Sequence, residues 1–104
     1  MGYKNITYHN KVHGTDVCQT AYYFATSCGL IETCQFDDVD LFSLFMAGAI
    51  HDYEHPGLNN DHLVKTSHPW AIQYNDVSVL ENHHVAGALE LTKTKARNIF
   101  EKMS

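Results

Sequence analysis

Asp37-Asp38-Val39-Asp40-Leu41-Phe42-Ser43-Leu44-Phe45-Met46-Ala47-Gly48-Ala49-Ile50-His51-Asp52 is the stretch on which the fold turns. Three acids stand at its start. Side-chain oxygens there cap the unpaired N–H groups of a first helical turn, and negative charge suits the positive end of the helix dipole, so Asp37 or Asp38 is the expected N-cap. From Val39 to Ile50 the residues are apolar almost all round. A helix with no polar face is normally buried within something larger. The run is far too short to span a bilayer. Pro56-Gly57 is its expected end.

Outward from this segment the pattern stays helical. A first helix is expected from about His13 to Cys28, with Val17, Ala21, Phe24, Ala25 and Cys28 as its inward stripe and Gly29 as its stop. A short helix is expected over Asn60–Thr66 and another after Pro69, which suits a first helical turn. Tyr74-Asn75-Asp76 reads as a turn. A last helix is expected from about Val79 to Lys102, with Val85, Leu89, Thr92, Ala96, Ile99 and Met103 inward. No segment alternates with the period of a strand. The expectation is an all-α chain, read as one partial domain over residues 1–104.

Composition narrows the function. The 104 residues leave room for one domain. With 44% apolar and 12% aromatic residues, disorder is excluded as the main reading. A formal charge of −5 gives no electrostatic footprint for nucleic acid or an anionic membrane, so neither is expected as a partner. Cys18, Cys28 and Cys34 form no CxxC pair and are expected to be reduced thiols. The N-terminus lacks the design of a signal peptide, and Ile6 breaks the myristoylation pattern that Met1-Gly2 begins. A cytoplasmic setting is expected. A chain this small supplies few helices to cover the apolar one, so helices from a larger domain, or self-association, are expected to complete the core.

Eight histidines are the oddity, against about two or three at average usage. His9 and His13 are four apart, as are His51 and His55, and residues four apart share a helix face. Asp52 stands beside His51, and His83-His84 follow Glu81-Asn82. Imidazole suits transition metals, and carboxylate suits Mg²⁺ or Mn²⁺. A His-Asp pair at a helix end can supply one nitrogen and one bridging oxygen to a two-metal centre that activates water against phosphorus. A lone helical histidine is more often an ordinary surface or core residue, and His62 and His68 are read that way. Asn82-His83-His84 reads equally well as helix packing, and Glu81 equally well as an acid at a helix start.

Three strings carry a family resemblance. Tyr8-His9-Asn10-Lys11-Val12-His13-Gly14-Thr15-Asp16-Val17 resembles the YHNxxHAxDV signature of class I 3',5'-cyclic-nucleotide phosphodiesterases, with Gly14 in place of Ala. His51-Asp52-Tyr53-Glu54-His55-Pro56-Gly57-Leu58-Asn59-Asn60 looks like that family's HDxxHPGxxN element. Tyr74-Asn75-Asp76-Val77-Ser78-Val79-Leu80-Glu81-Asn82-His83-His84 is similar to its YNDxSVLENHH element. The Asp52–His55 stretch looks closest to the calcium/calmodulin-dependent subgroup.

The resemblance implies a partial multi-helix catalytic domain of the HD type, its N-terminal portion. It implies hydrolysis of cAMP, cGMP or both to 5'-monophosphates with two divalent metals, Zn²⁺ and Mg²⁺ (or Mn²⁺). By the same resemblance His13, His51 and Asp52 are ligands of the tightly bound metal, and Asp52 bridges to the second. His55 and Glu81 match residues that hold metal-bound water, and His9 matches the general acid that protonates the O3′ leaving group. Tyr8 and Asn10 flank His9 as pocket-lining candidates. In the family a further metal-ligating Asp and the purine-binding Gln lie downstream of the portion matched, so the expectation is a fragment incomplete for catalysis. Two other readings stay open: a different metal-dependent phosphohydrolase on a helical His-Asp scaffold, and an inactive helical module that binds metal or pairs with a full-length relative.

Overall fold

An extended segment leads into α1 (Lys11–Ser27), then α2 (Leu30–Cys34), α3 (Asp38–Ile50), α4 (Asn60–Lys65), α5 (Pro69–Gln73), α6 (Val79–Thr92) and a 3₁₀ turn at Lys95–Arg97. These elements come from a computed structural model that describes residues 2–101. No strand occurs among them, so the fold is all-α as expected.

Local chemistry explains the helix starts. The Asn10 side chain accepts from the N–H groups of Val12 and His13 and caps α1. Asp37 caps α3 in a capping box with Asp40, which satisfies two otherwise orphaned donors. Asn59 caps α4, and the His68 ring accepts from Trp70 N–H at the start of α5, where Pro69 is the first residue. Gly29, at φ +70°, sits in the left-handed region that ends α1. The tight turn at Tyr74–Asp76 has Asn75 and Asp76 both at positive φ.

α1 and α3 run antiparallel and pack along each other. Gly48 makes the close approach possible, since a Cβ there would lie 3.3 Å from Cys18 Sγ. On α1, Gly14 and Ala25 are buried and Val17, Cys18 and Ala21 half-buried, while Phe24 is 53% exposed and Cys28 is exposed. Val17, Ala21 and Ala25 of the expected stripe thus lie on the covered side, while Phe24 and Cys28 are corrected to the exposed side, because the close crossing brings the Cys18 edge of α1 against α3. The Tyr3 ring fills the gap beside Gly14, and its hydroxyl donates to the Ala49 carbonyl oxygen at 3.1 Å.

A second, small core joins α4, α5 and α6 through Leu63, Ala71, Val79 and Leu80, with Val64, Trp70 and Tyr74 against it. The buried face of α6 is Leu80, His84 and Ala88; Val85 and Leu89 are exposed, which corrects the expected phase. The helix also stops at Thr92. The hydroxyls of Thr92 and Thr94 hydrogen-bond back to the Leu89 and Leu91 carbonyl oxygens, a local alternative to continued helix. The expected end at Lys102 and the inward Met103 lie outside the described residues. Two further expectations are corrected. α2 falls where only a stop was read, and α3 ends at Ile50, six residues before Pro56.

The packing is open. The radius of gyration is 15.6 Å, against about 13 Å for a compact chain of this length. On α3, Gly48 alone is buried; Leu41, Phe42, Leu44, Phe45 and Met46 are half-buried and Val39 is exposed. The helix read as apolar on all sides is thus only partly covered, chiefly by α1, with α6, Phe100 and Tyr3 touching it as well. No helix among the described residues is long and apolar enough to cross a membrane.

Candidate metal centre

The antiparallel pairing brings the first turn of α1 to the end of α3. His13 Nε2, His51 Nε2 and Asp52 Oδ2 form a nearly equilateral triangle: 3.1 Å between the nitrogens, 3.2 Å from His13 to the carboxylate and 3.1 Å from His51. Adjacent donors around a tetrahedral zinc ion stand about 3.3–3.6 Å apart, and around an octahedral magnesium ion about 3 Å. The triangle therefore has the dimensions of one face of a coordination sphere.

The proton positions agree with ligation. The His51 Nδ1 lies 2.8 Å from the Gly48 carbonyl oxygen, which only accepts, so the ring donates from Nδ1 and leaves a lone pair on Nε2 toward Asp52. His84 behaves the same way. Its Nδ1 donates to the Tyr53 carbonyl oxygen, and its Nε2 stands 3.9 Å from Asp52 Oδ1. At 2% exposure its charged form is disfavoured by burial, and its pKa lies below the ordinary 6.5.

His55 is different. Its Nδ1 accepts the Gly57 N–H at 3.0 Å, so the neutral ring carries its proton on Nε2. Burial, reinforced by His9, lowers its pKa as well. One ligand atom each from His9, Asp52 and His55 also lies within 4.8 Å of the others. Yet the His9 and His55 rings stack, centroids 3.9 Å apart and planes at 16°. Lone pairs lie in the ring planes, so two nearly parallel rings do not aim at one ion. This second group suits hydrogen bonding, and the His13–His51–Asp52 group suits a cation.

Glu81, in the first turn of α6, lines an open cavity with His9, His55, Asn60 and Leu80. A hydrogen bond from Asn60 holds its carboxyl below the usual value near 4.5. Of the residues read from sequence, His9, His13, His51, Asp52 and His55 come together and Glu81 joins them across this cavity. Tyr8 is exposed, with its ring 4.8 Å from that of His13. Asn10 is occupied: its oxygen caps α1 and its nitrogen donates to the Ile6 carbonyl oxygen at 2.8 Å. His84 is the site residue that spacing underrated, although a stripe through 80, 84 and 88 points it inward. His83 faces elsewhere, 3.0 Å from Glu54 Oε2 and stacked on Trp70.

A family model described as 3'5'-cyclic nucleotide phosphodiesterase matches residues 8–104. The chain is 42% identical over 98 residues to a dual specificity calcium/calmodulin-dependent 3',5'-cyclic nucleotide phosphodiesterase 1B of Homo sapiens, covering 94% of the chain and 18% of that protein. It is 38% identical over 102 residues to a 3',5'-cyclic-AMP phosphodiesterase 4C of Rattus norvegicus, covering 98% of the chain and 19% of that protein. The chain thus spans about a fifth of the length of these curated relatives.

Proposed function

This chain belongs to the 3'5'-cyclic nucleotide phosphodiesterase family, and from that membership we propose that it is the metal-centre portion of a catalytic domain that hydrolyses cAMP, cGMP or both to 5'-monophosphates. The observation that carries the reading is the triangle of His13 Nε2, His51 Nε2 and Asp52 Oδ2, with edges of 3.1–3.2 Å, delivered by α1 and by the turn that follows α3.

His13, His51 and Asp52 would hold a tightly bound Zn²⁺, with Asp52 shared by a second ion, Mg²⁺ or Mn²⁺. Such ions supply Lewis acidity to phosphoryl oxygens and lower the pKa of water. The chain's own residues do the rest. His55 donates from Nε2 and Glu81 accepts, so together they orient a water in the cavity that both line. As that water's oxygen bonds to phosphorus it passes one proton to the Glu81 carboxylate, the P–O3′ bond breaks, and the half-buried His9 gives its proton to O3′. His55, stacked on His9 and kept neutral by burial, leaves His9 as the donor. Tyr8 borders His9 on its exposed side.

The whole of residues 1–104 is proposed as one partial catalytic unit acting on a cyclic nucleotide in the cytoplasm. Its apolar α3 face is proposed to be covered by further helices of a longer protein or by a second copy. The test is zinc content together with cAMP and cGMP turnover of a longer, catalytically complete protein that carries this segment, with His51→Ala as control. Turnover that His51→Ala abolishes supports the reading. Zinc bound stoichiometrically without turnover favours the alternative, an inactive metal-binding module.

A further inference from the structure

The start of α6 is served from another helix. Ser78 precedes it in left-handed backbone, φ 45°, and its side chain caps nothing. Asn60, the first residue of α4, takes over. Its Oδ1 accepts the Leu80 N–H at 2.9 Å, and its Nδ2 donates to Glu81 Oε2 at 2.9 Å. In an ordinary capping box the N-cap side chain and the carboxyl three residues on satisfy two orphaned donors within one segment. Here a single amide from α4 meets both a backbone donor and the acid of the first turn of α6. The neighbouring Asn59 does the local work, accepting from His62 N–H at 2.9 Å, and so leaves Asn60 free to reach across. A glutamate side chain has several rotamers, and ordering it costs up to about 2 kcal/mol of conformational entropy. A donor aimed at Oε2 selects among them.

We propose that Asn60 is a positioning residue, which closes a capping box in trans on α6 and thereby aims the Glu81 carboxylate into the cavity shared with His9 and His55. The proposal deepens the phosphodiesterase reading and rests on it for the use of Glu81. The lowered pKa of Glu81, with the Asn60 hydrogen bond as its largest cause, is in keeping with this geometry.

The test uses the full 104-residue chain. Asn60→Asp keeps an oxygen for Leu80 N–H but removes the donor to Glu81; Asn60→Ala removes both and adds no charge. In Asn60→Asp the Leu80 amide should stay protected from exchange. In both variants the Glu81 carboxyl, followed by ¹³C NMR, should titrate at higher pH than in the unaltered chain, and its side-chain couplings should pass from one rotamer to an average. A Glu81 titration and rotamer unchanged in either folded variant overturns the proposal. Should the variants not fold, the unaltered chain decides. One Asn60 side-chain amide proton should shift with the Glu81 midpoint, and amide signals that stay flat through that titration overturn it. None of these readouts uses turnover. Failure to hydrolyse a cyclic nucleotide counts against the function, whereas a Glu81 indifferent to Asn60 counts against this inference alone.

Discussion

His51 ends its own helix: the ring donates from Nδ1 to the Gly48 carbonyl oxygen, 2.8 Å away, at the turn where α3 stops. A terminal carbonyl that has no ordinary helical partner is satisfied, and the same bond leaves Nε2 bare toward His13 and Asp52. Capping and ligand preparation are one interaction. His51→Ala should therefore lower zinc affinity by more than about a hundredfold, since loss of an outer partner alone can cost up to that much. Competition titration with a zinc chelator checks it. Affinity within a few fold of the unaltered chain would place the ion elsewhere.

Zinc should also stabilise the chain, because the three donors tie the start of α1 to the end of α3. At a free concentration of about 100 Kd the gain is about 2.7 kcal/mol. A rise in thermal midpoint that His13→Ala removes is the expected result.

His9→Ala should leave zinc affinity unchanged. His9 stacks on His55 and stands outside the His13–His51–Asp52 triangle. In a catalytically complete protein carrying this segment, the same change should lower turnover. Loss of zinc instead would make His9 a ligand.

Stability should fall in mild acid. His55 and His84 have pKa values lowered mainly by burial. Below their ordinary value of 6.5 the unfolded chain takes up protons that the folded chain resists, so the stability is complete above that value and is lost as pH falls toward the folded pKa values. The depressed Glu81 adds a second loss below its ordinary value near 4.5. Denaturant titrations at neutral pH and at successive steps below 6.5 check the sign, and His84→Gln should flatten the first loss.

Gly14→Ala restores the residue usual in the family's signature, and in this chain it should not behave as a simple helix stabiliser. The new Cβ would sit 2.8 Å from the Tyr3 ring. The helix gains about 0.5–1 kcal/mol from alanine, but Tyr3 must move and its bond to Ala49 is lost, about 1 kcal/mol. No net rise in thermal midpoint is expected. The Tyr3 phenol, now held up by burial, should titrate closer to its ordinary value.

Helix existence was legible wherever cap and breaker chemistry is local. Asp37, Gly29, Pro69 and the Tyr74–Asp76 turn each read correctly because each acts on its own segment. Helix phase was legible only in part: Val17, Ala21 and Ala25 lie on the covered side of α1 as read, whereas Phe24 and Cys28 do not, and α6 turns another face inward. Which residues of α1 turn inward depends on how closely α3 approaches at Gly48 opposite Cys18, a relationship between segments. For the site, paired spacing and the three strings led to His13, His51 and Asp52 as residues to bring together. Spacing does not show that His84 stands beside Asp52, because that follows from where another segment runs; the Asn10 cap is local, made with residues 6–13, and was missed although it was open to reading.

The adjacency of His51 and Asp52 at the end of α3 also makes the length of that helix a fixed quantity. Its start is anchored by the Asp37–Asp40 box and its flank by Gly48 against Cys18. One residue removed or added between those points would swing both donor groups about 100° around the axis, and His13, delivered independently, could not follow. Insertions and deletions that loops elsewhere in this chain could absorb should here be fatal to the ion-binding face, even where every donor residue survives.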